Sequence, residues 1–293
     1  MNEPHLKHIY SGKVRDLYEV DTESMLMVAS DRISVFDVVL PDLVPDKGRV
    51  LTGLSNWWFD QTRAIVANHV ISADPTDLPE MAGDVGGRAM LVRVTRPVRM
   101  ECVVRGYLFG SAWTEYQLHG TIGGHPAPPR MREAERLEVP LFTPSTKADE
   151  GHDLPLTSAQ AVDLVGADLF EQLRAASAAL YEFGAAHAAN RGVILADTKF
   201  EFGLRDGDLM AIDELMTPDS SRYWPAEAWR PGSAPPSFDK QYVRDYMTAT
   251  GWNKEPPPPS LPDSVIANTR AKYIEAYEMI TGQGFDDWYT PDE

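Results

Sequence analysis

Apolar and polar positions change their period several times along the chain, and each change marks an element. From Val193 a short apolar run gives way to strict alternation. Asp197, Lys199 and Glu201 then share one face of an extended strand, and Phe200 and Phe202 share the other. Residues 205–208, Arg-Asp-Gly-Asp, read as a turn, and residues 209–212 as a returning strand that ends in Asp213-Glu214. Near the start, residues 8–20 read as two short strands around Ser11-Gly12, with Lys13 and Arg15 on one face and Val14 on the other. Further strands are predicted over 25–29, 89–94 and 98–104. Helical spacing predicts an amphipathic helix from about 50 to 70, with Leu54, Trp57, Trp58 and Ile65 inward. Other helices are predicted over 111–118, over 158–190 with a break near Gly166, from about 238, and over 263–281. In the last of these Tyr273, Tyr277 and Ile280 are packing residues. Residues 74–87 and 120–157 are loop-like, and Pro256 to Pro259 form a stiff spacer.

The parity of the 205–208 turn decides what the hairpin presents. A two-residue Asp206-Gly207 loop pairs Leu204 with Leu209 and sends Asp213 to the face opposite Glu201. An odd loop, Arg205-Asp206-Gly207, pairs Lys199 with Asp213 and leaves Glu201 as its diagonal neighbour, roughly 7–8 Å away. The odd register is expected here, because it gathers two carboxylates beside one lysine. Such a pair suits Mg²⁺, which takes one or two carboxylates and completes its shell with phosphate oxygens and water. A solvated sheet face is the plainer account of the same alternation.

Composition narrows the class. The chain has 293 residues, is 43% hydrophobic and carries a formal charge of −17, so it is a globular protein ill suited to binding nucleic acid or an anionic membrane. A single cysteine, Cys102, excludes an intrachain disulfide framework and fits a reducing cytoplasm. No leader and no apolar run near 18 residues is present.

Three other stretches could carry chemistry. The Ser11-Gly12 turn with Lys13 and Arg15 could cover phosphates, although it matches neither common glycine-rich phosphate fingerprint. Arg105 closes a strand shortly before Ser111, and a helix N-terminus beside an arginine makes a phosphate site; capping accounts for Ser111 equally well. The long loop gathers Lys147, Asp149, His152 and Asp153, and long structureless loops in compact domains tend to be functional. These features reach only as far as a magnesium- and phosphate-handling site. A small-molecule kinase and an ATP-responsive binding module both remain open on the residues alone.

Order and spacing add more. Ser-Gly-Lys-Val-Arg-Asp at 11–16, Val-Val-Arg-Gly-Tyr-Leu-x-Gly-Ser at 103–111 and Phe-Thr-Pro-Ser-Thr-Lys-Ala at 142–148 follow one another. Asp-Thr-Lys-Phe-Glu-Phe-Gly at 197–203 and Asp-Glu-(x)₃-Pro-Asp-Ser-Ser-Arg at 213–222 come after them. From about residue 9 to 246 the chain resembles the SAICAR synthetase (phosphoribosylaminoimidazole-succinocarboxamide synthase) family. That resemblance implies an α+β, two-lobed fold with a kinase-like or ATP-grasp-like nucleotide cleft between antiparallel sheets. Residues 1–112 would form the ATP-binding lobe, and 113–293 the lobe carrying the metal and substrate hairpin. It implies an ATP-dependent ligase of purine biosynthesis that joins L-aspartate to carboxyaminoimidazole ribonucleotide (CAIR) through an acyl phosphate. By position, Ser11, Gly12, Lys13 and Arg15 resemble the ATP-phosphate turn, and Glu201 and Asp213 the magnesium ligands that face the same ATP. Arg105, Ser111, Asp197, Lys199 and Arg222 resemble the ribonucleotide set, with Lys240 or Arg244 nearby. Lys147, His152 and Asp153 belong to the loop that closes on substrates. Lys199 and Asp197 are the expected catalytic pair, and Asp197, Asp153 and His152 are unranked candidates for taking the amine's proton. The connection at Arg96-Pro97 is the expected place for the adenine.

Overall fold

The computed structural model describes residues 6–80, 85–147, 153–238 and 240–288. Its organising element is the thirteen-residue strand Val193–Arg205. Alternation holds along its second half: Phe200 and Phe202 are buried in the main core with Leu54, Trp58, Tyr223 and Tyr277, while Lys199 and Glu201 are turned the other way, toward each other's charge. On one edge it pairs antiparallel with Met100–Leu108, Arg105 opposite Asp197. On the other it pairs first with Ser221–Pro225, Arg222 opposite Asp197, and then with Asp208–Ile212. Asp197 therefore has an arginine across from it on both neighbouring strands. Arg96-Pro97 joins the same sheet opposite Leu204 and Gly203.

A second sheet, Lys7–Ser11, Arg15–Glu19, Ser24–Ala29, Ala89–Arg93 and Val70–Ser72 in that spatial order, lies entirely within the first 93 residues. Mixed antiparallel sheets with separate helices are an α+β arrangement. Arg96–Pro97 and Met100–Leu108 belong to the larger sheet, and the short strand Ala67–Asn68 also joins it, in parallel with Asp208–Ile212. Helix Ser158–Val165 opens on a Thr157/Gln160 capping box and yields at Gly166 to helix Ala167–Asn190, as the pattern predicts. Helix Asp263–Thr281 buries Tyr273, Tyr277 and Ile280.

Two expectations are corrected. The first helix is Lys47–Gln61, not 50–70. The Thr62 hydroxyl donates to the Trp58 carbonyl at its end, and the β-branched residues beyond enter strand Val70–Ser72 instead. The hairpin loop is also not odd. Leu204 pairs with Leu209 and Arg205 with Asp208, around a two-residue turn with φ 55° at Asp206 and 93° at Gly207. Asp-Gly is a preferred sequence for such a turn because both positions need φ > 0, and its twist matches that of the strands. Arg205 stays in the strand and donates to the Glu23 carbonyl.

Gly48, in the first turn of helix Lys47–Gln61, lies against strand Ser24–Ala29. A Cβ there would sit 2.7 Å from the Ala29 carbonyl oxygen and 3.0 Å from its carbon. Backbone on both sides cannot swing aside, so Gly48→Ala is expected to cost about 1–3 kcal/mol, measured as a lower urea midpoint with an unchanged slope.

Candidate active site

The cleft has two charged ends joined by strand Val193–Arg205. At the first, Asp197 is buried and its Oδ2 accepts from Arg105 Nη1 at 3.0 Å and from Arg222 Nη1 at 2.5 Å. Arg105 also donates to the Thr143 hydroxyl at 3.0 Å and to Ser111 Oγ at 3.1 Å. Ser111 is thus an acceptor for an arginine; the N-cap of its helix is Gly110, with no side-chain cap. Arg222 lies over the Phe109 ring at 5.5 Å. Gly110, at φ 60°, lets it do so, since a Cβ there would meet Arg222 Nη2 at 2.6 Å. A cavity of about 760 Å³ opens beside Glu101, Arg105, Ser111, Thr143 and Asp153. Two guanidiniums and a helix N-terminus suit an oxyanion.

At the second end Lys199 Nζ lies 2.5 Å from Glu101 and 3.4 Å from Glu201. Lys147 pairs with the other Glu201 oxygen. Burial opposes the charge on Lys199, but Glu201 and Glu101 outweigh it and hold its pKa well above the ordinary lysine value. Burial likewise works to raise Glu201, and Lys199 and Lys147 more than offset it, leaving Glu201 lowered. The two-residue turn should have sent Asp213 to the far face. Yet the strand stops at Ile212, and Asp213 takes φ 65°, which breaks the alternation. Asp213 is raised to about 6, by burial first, with Arg15 opposing and Glu201 and Glu214 pushing further up. Beyond the ladder, Asp213 is held by Arg15 at 3.2 Å instead of by a sheet partner.

The glycine turn divides its cations. Arg15 is buried, bonding Glu214 at 2.8 Å and Asp213 at 3.2 Å. Lys13 lies in the bend between strands, where alternation does not apply, and pairs outward with Asp37. The expected shared face of Lys13 and Arg15 is not formed. Ser11 donates to Asp16 at 2.7 Å, and Arg32 holds the carbonyls of Gly12 and Lys13. Lys240 also departs from expectation: its ammonium is buried on Asp219 at 2.9 Å. Arg244 follows one turn later in helix Gln241–Ala249. Asp153 lines the cavity, whereas His152 lies outside the described residues.

Glu101, Glu214, Asp219 and Lys47 are participants that residue reading did not single out. Glu101 has the same parity as Arg105 on one strand, and that was a usable signal. Nothing local marks Lys47, which is fully buried on Asp219 from 172 residues away.

Among the described residues no group of three or more His, Cys, Asp and Glu gathers as a metal cage. Glu201 and Asp213 nonetheless fit a hard divalent cation. They are part-buried oxygen donors, and the charge of Glu201 adds to the burial that raises Asp213 to about 6; a cation held by both would relieve it.

A family model described as SAICAR synthetase matches residues 8–259. The phosphoribosylaminoimidazole-succinocarboxamide synthase of Methylobacillus flagellatus is 50% identical over 285 residues, 96% of each chain. That of Thermobifida fusca is 50% identical over 289 residues, 97% of this chain and 94% of its own. The solved SAICAR synthase from Saccharomyces cerevisiae, complexed with SAICAR, aligns at TM-score 0.87 and 38% identity over 97% of both chains. A SAICAR synthetase in complex with ADP aligns at TM-score 0.70 and 25% identity, over 94% of this chain and 98% of that one.

Removing Asp197 would leave two buried guanidiniums facing each other without a counter-charge. Asp197→Ala is expected to destabilise the fold by about 3–5 kcal/mol, read from denaturant unfolding, and added phosphate should recover part of that loss.

Proposed function

The chain belongs to the SAICAR synthetase family, and from that membership we propose how its residues divide the work. The protein is the ATP-dependent ligase that makes SAICAR from CAIR and aspartate in purine biosynthesis. In the reading proposed here, Arg105 and Arg222 grip the ribonucleotide phosphate beside Ser111, and Asp197 sets both guanidiniums. Glu201 and Asp213 hold Mg²⁺ at the triphosphate end, near Arg15. The observation that carries this is the spacing on one strand. Asp197 and Glu201 are four residues apart, roughly 13 Å at ~3.3 Å per residue, about the reach of a ribonucleotide from its 5′-phosphate to a substituent on its base.

A carboxylate is a poor acyl donor, so the CAIR carboxylate is first phosphorylated and the aspartate amine then displaces phosphate. Bringing these anions together is opposed by about 4 kcal/mol per unit pair at ~4 Å and an effective dielectric near 20. Bound Mg²⁺ would neutralise phosphate oxygens there. Lys199, kept protonated by Glu101 and Glu201, supplies a fixed positive charge to the transferring group. Lys147 stands on Glu201, close enough to follow the phosphates as its loop closes, and closure protects the acyl phosphate from water. Both bonds that Asp197 accepts fall on one oxygen, which suits a positioning role. Asp153, on the cavity wall, is the acceptor this reading favours for the amine's proton. Lys13 leaves Asp37 for the phosphates when ATP arrives under the Ser11-Gly12 turn. The adenine lies by Arg96-Pro97, between an ATP lobe and a substrate lobe. No described helix is long and apolar enough to cross a membrane, and the −17 charge supports a cytoplasmic enzyme that does not bind nucleic acid.

Glu201→Gln should lower kcat by about 10³-fold or more with the fold retained, although the thermal midpoint falls by a few degrees because Lys199 and Lys147 lose a counter-charge. A variant retaining a third of its turnover sinks the metal assignment. Arg105→Ala should weaken ribonucleotide binding by about 10–100-fold and leave ADP binding within a factor of about two. Calorimetric titration of each ligand checks this, and equal losses count against the division of ends.

A further inference from the structure

We infer that Asp219 is a positioning residue for the segment 213–222, with Lys47, Lys240 and Tyr273 as the donors that fix it. The inference rests on the assignment of Asp213 and Arg222 above and adds what holds them. Asp219 touches neither end of the cleft. Its Oδ2 accepts from Lys47 Nζ at 2.8 Å and Lys240 Nζ at 2.9 Å, and its Oδ1 from the Tyr273 hydroxyl at 2.7 Å. The three donors come from separate elements. Lys47 is the first residue of helix Lys47–Gln61, Lys240 precedes helix Gln241–Ala249, and Tyr273 lies in helix Asp263–Thr281. The Lys47 and Asp219 side chains are 0% and 2% exposed.

From Asp219 the contacts run outward to both ends of the cleft. Its own N–H donates to Thr217 Oγ1 at 3.1 Å, Thr217 donates to Glu214, and Glu214 holds Arg15. On the other side the Ser220 carbonyl accepts the Lys199 N–H at 2.9 Å, Ser221 donates to the Thr198 hydroxyl at 2.8 Å, and Arg222 reaches Asp197. The segment also holds two non-glycine residues in left-handed backbone, Asp213 at φ 65° and Met216 at φ 46°. Each such residue persists only where its surroundings over-determine it. Burying three ionisable side chains is a poor way to gain stability, because apolar residues of similar volume often do as well. What a triply bonded carboxylate does well is fix a position. Lys240 thus serves the site through Asp219, which accounts for its departure from the cleft.

Tyr273→Phe tests this, since it keeps the ring and deletes one donor. It should lower kcat about tenfold, the size of one hydrogen bond to a charged group, with the thermal midpoint within about 3 °C of the parent. A second readout needs no turnover: the gain in ADP affinity on adding magnesium, by calorimetry, should shrink at least about threefold as Asp213 loses its setting. Lys47→Met should behave alike and more strongly, with Lys47→Arg recovering part of the loss. Tyr273→Phe with kcat and magnesium gain both within about twofold of the parent overturns the inference, as does a kcat loss matched only by a lower midpoint. Failure of the metal assignment itself would show separately, as parent-like turnover in Glu201→Gln.

Discussion

Lys199 sits between Glu101 and Glu201, 2.5 Å from one and 3.4 Å from the other, and the rest of the cleft depends on that shared buried charge. Without the lysine the two carboxylates, on neighbouring strands, would repel in a medium where each unit pair at ~4 Å costs several kcal/mol. With it, one positive charge stays ionised against Glu101, which lines the cavity. Neighbouring groups repeat the pattern: Arg15 serves Asp213 and Glu214, and Asp197 serves Arg105 and Arg222. A protein of formal charge −17 that must bind anionic substrates can do so only by concentrating its cations, and pairing them internally lets them be buried before any ligand arrives.

How far the sequence could be read follows from the range of the interactions involved. Local period located strand Val193–Arg205, the break at Gly166 and helix Asp263–Thr281, because burial alternation and helical spacing are written within a few residues. Motif order located the family. Reading failed where distant residues decide the outcome. The first helix was drawn nine residues too long because Ile65 and Val66 pack on the same core as the helix, and packing periodicity does not say which backbone carries it. Lys13 and Arg15 were placed together by alternation through a bend that has none. Lys240 was assigned to substrate, since no local signal announces a partner at Asp219. The three donors to Asp219 lie 172, 54 and 21 residues from it in the chain.

The hairpin carries a more specific lesson. An odd loop would put Glu201 and Asp213 on one side of the hairpin. Instead Asp206-Gly207 adopts the turn it prefers, and Asp213 leaves the strand in left-handed backbone, where sheet alternation no longer sets its side chain. A backbone of φ 65° suits aspartate better than most residues other than glycine, so the residue type and the conformation at 213 are compatible.

Asp213's departure from the strand has a consequence for how the site tolerates change. A hairpin with an odd loop would hold Asp213 in the sheet, where ladder hydrogen bonds would fix it. In the observed register Asp213 has left the ladder, and the next strand begins only at Ser221. In the segment from Asp213 to Ser220 only the Ser220 carbonyl bonds the central strand, at the Lys199 N–H, and Asp213 and Met216 are in left-handed backbone. Most of its order comes from side chains: Glu214 on Arg15, Thr217 on Glu214, Tyr223 on the Met216 carbonyl and Asp219 on its three donors. The buried ionic cluster and the two-residue turn are thus parts of one solution. A turn that satisfies the strands leaves Asp213 outside the sheet, and polar contacts from three helical elements take over the work the ladder would have done.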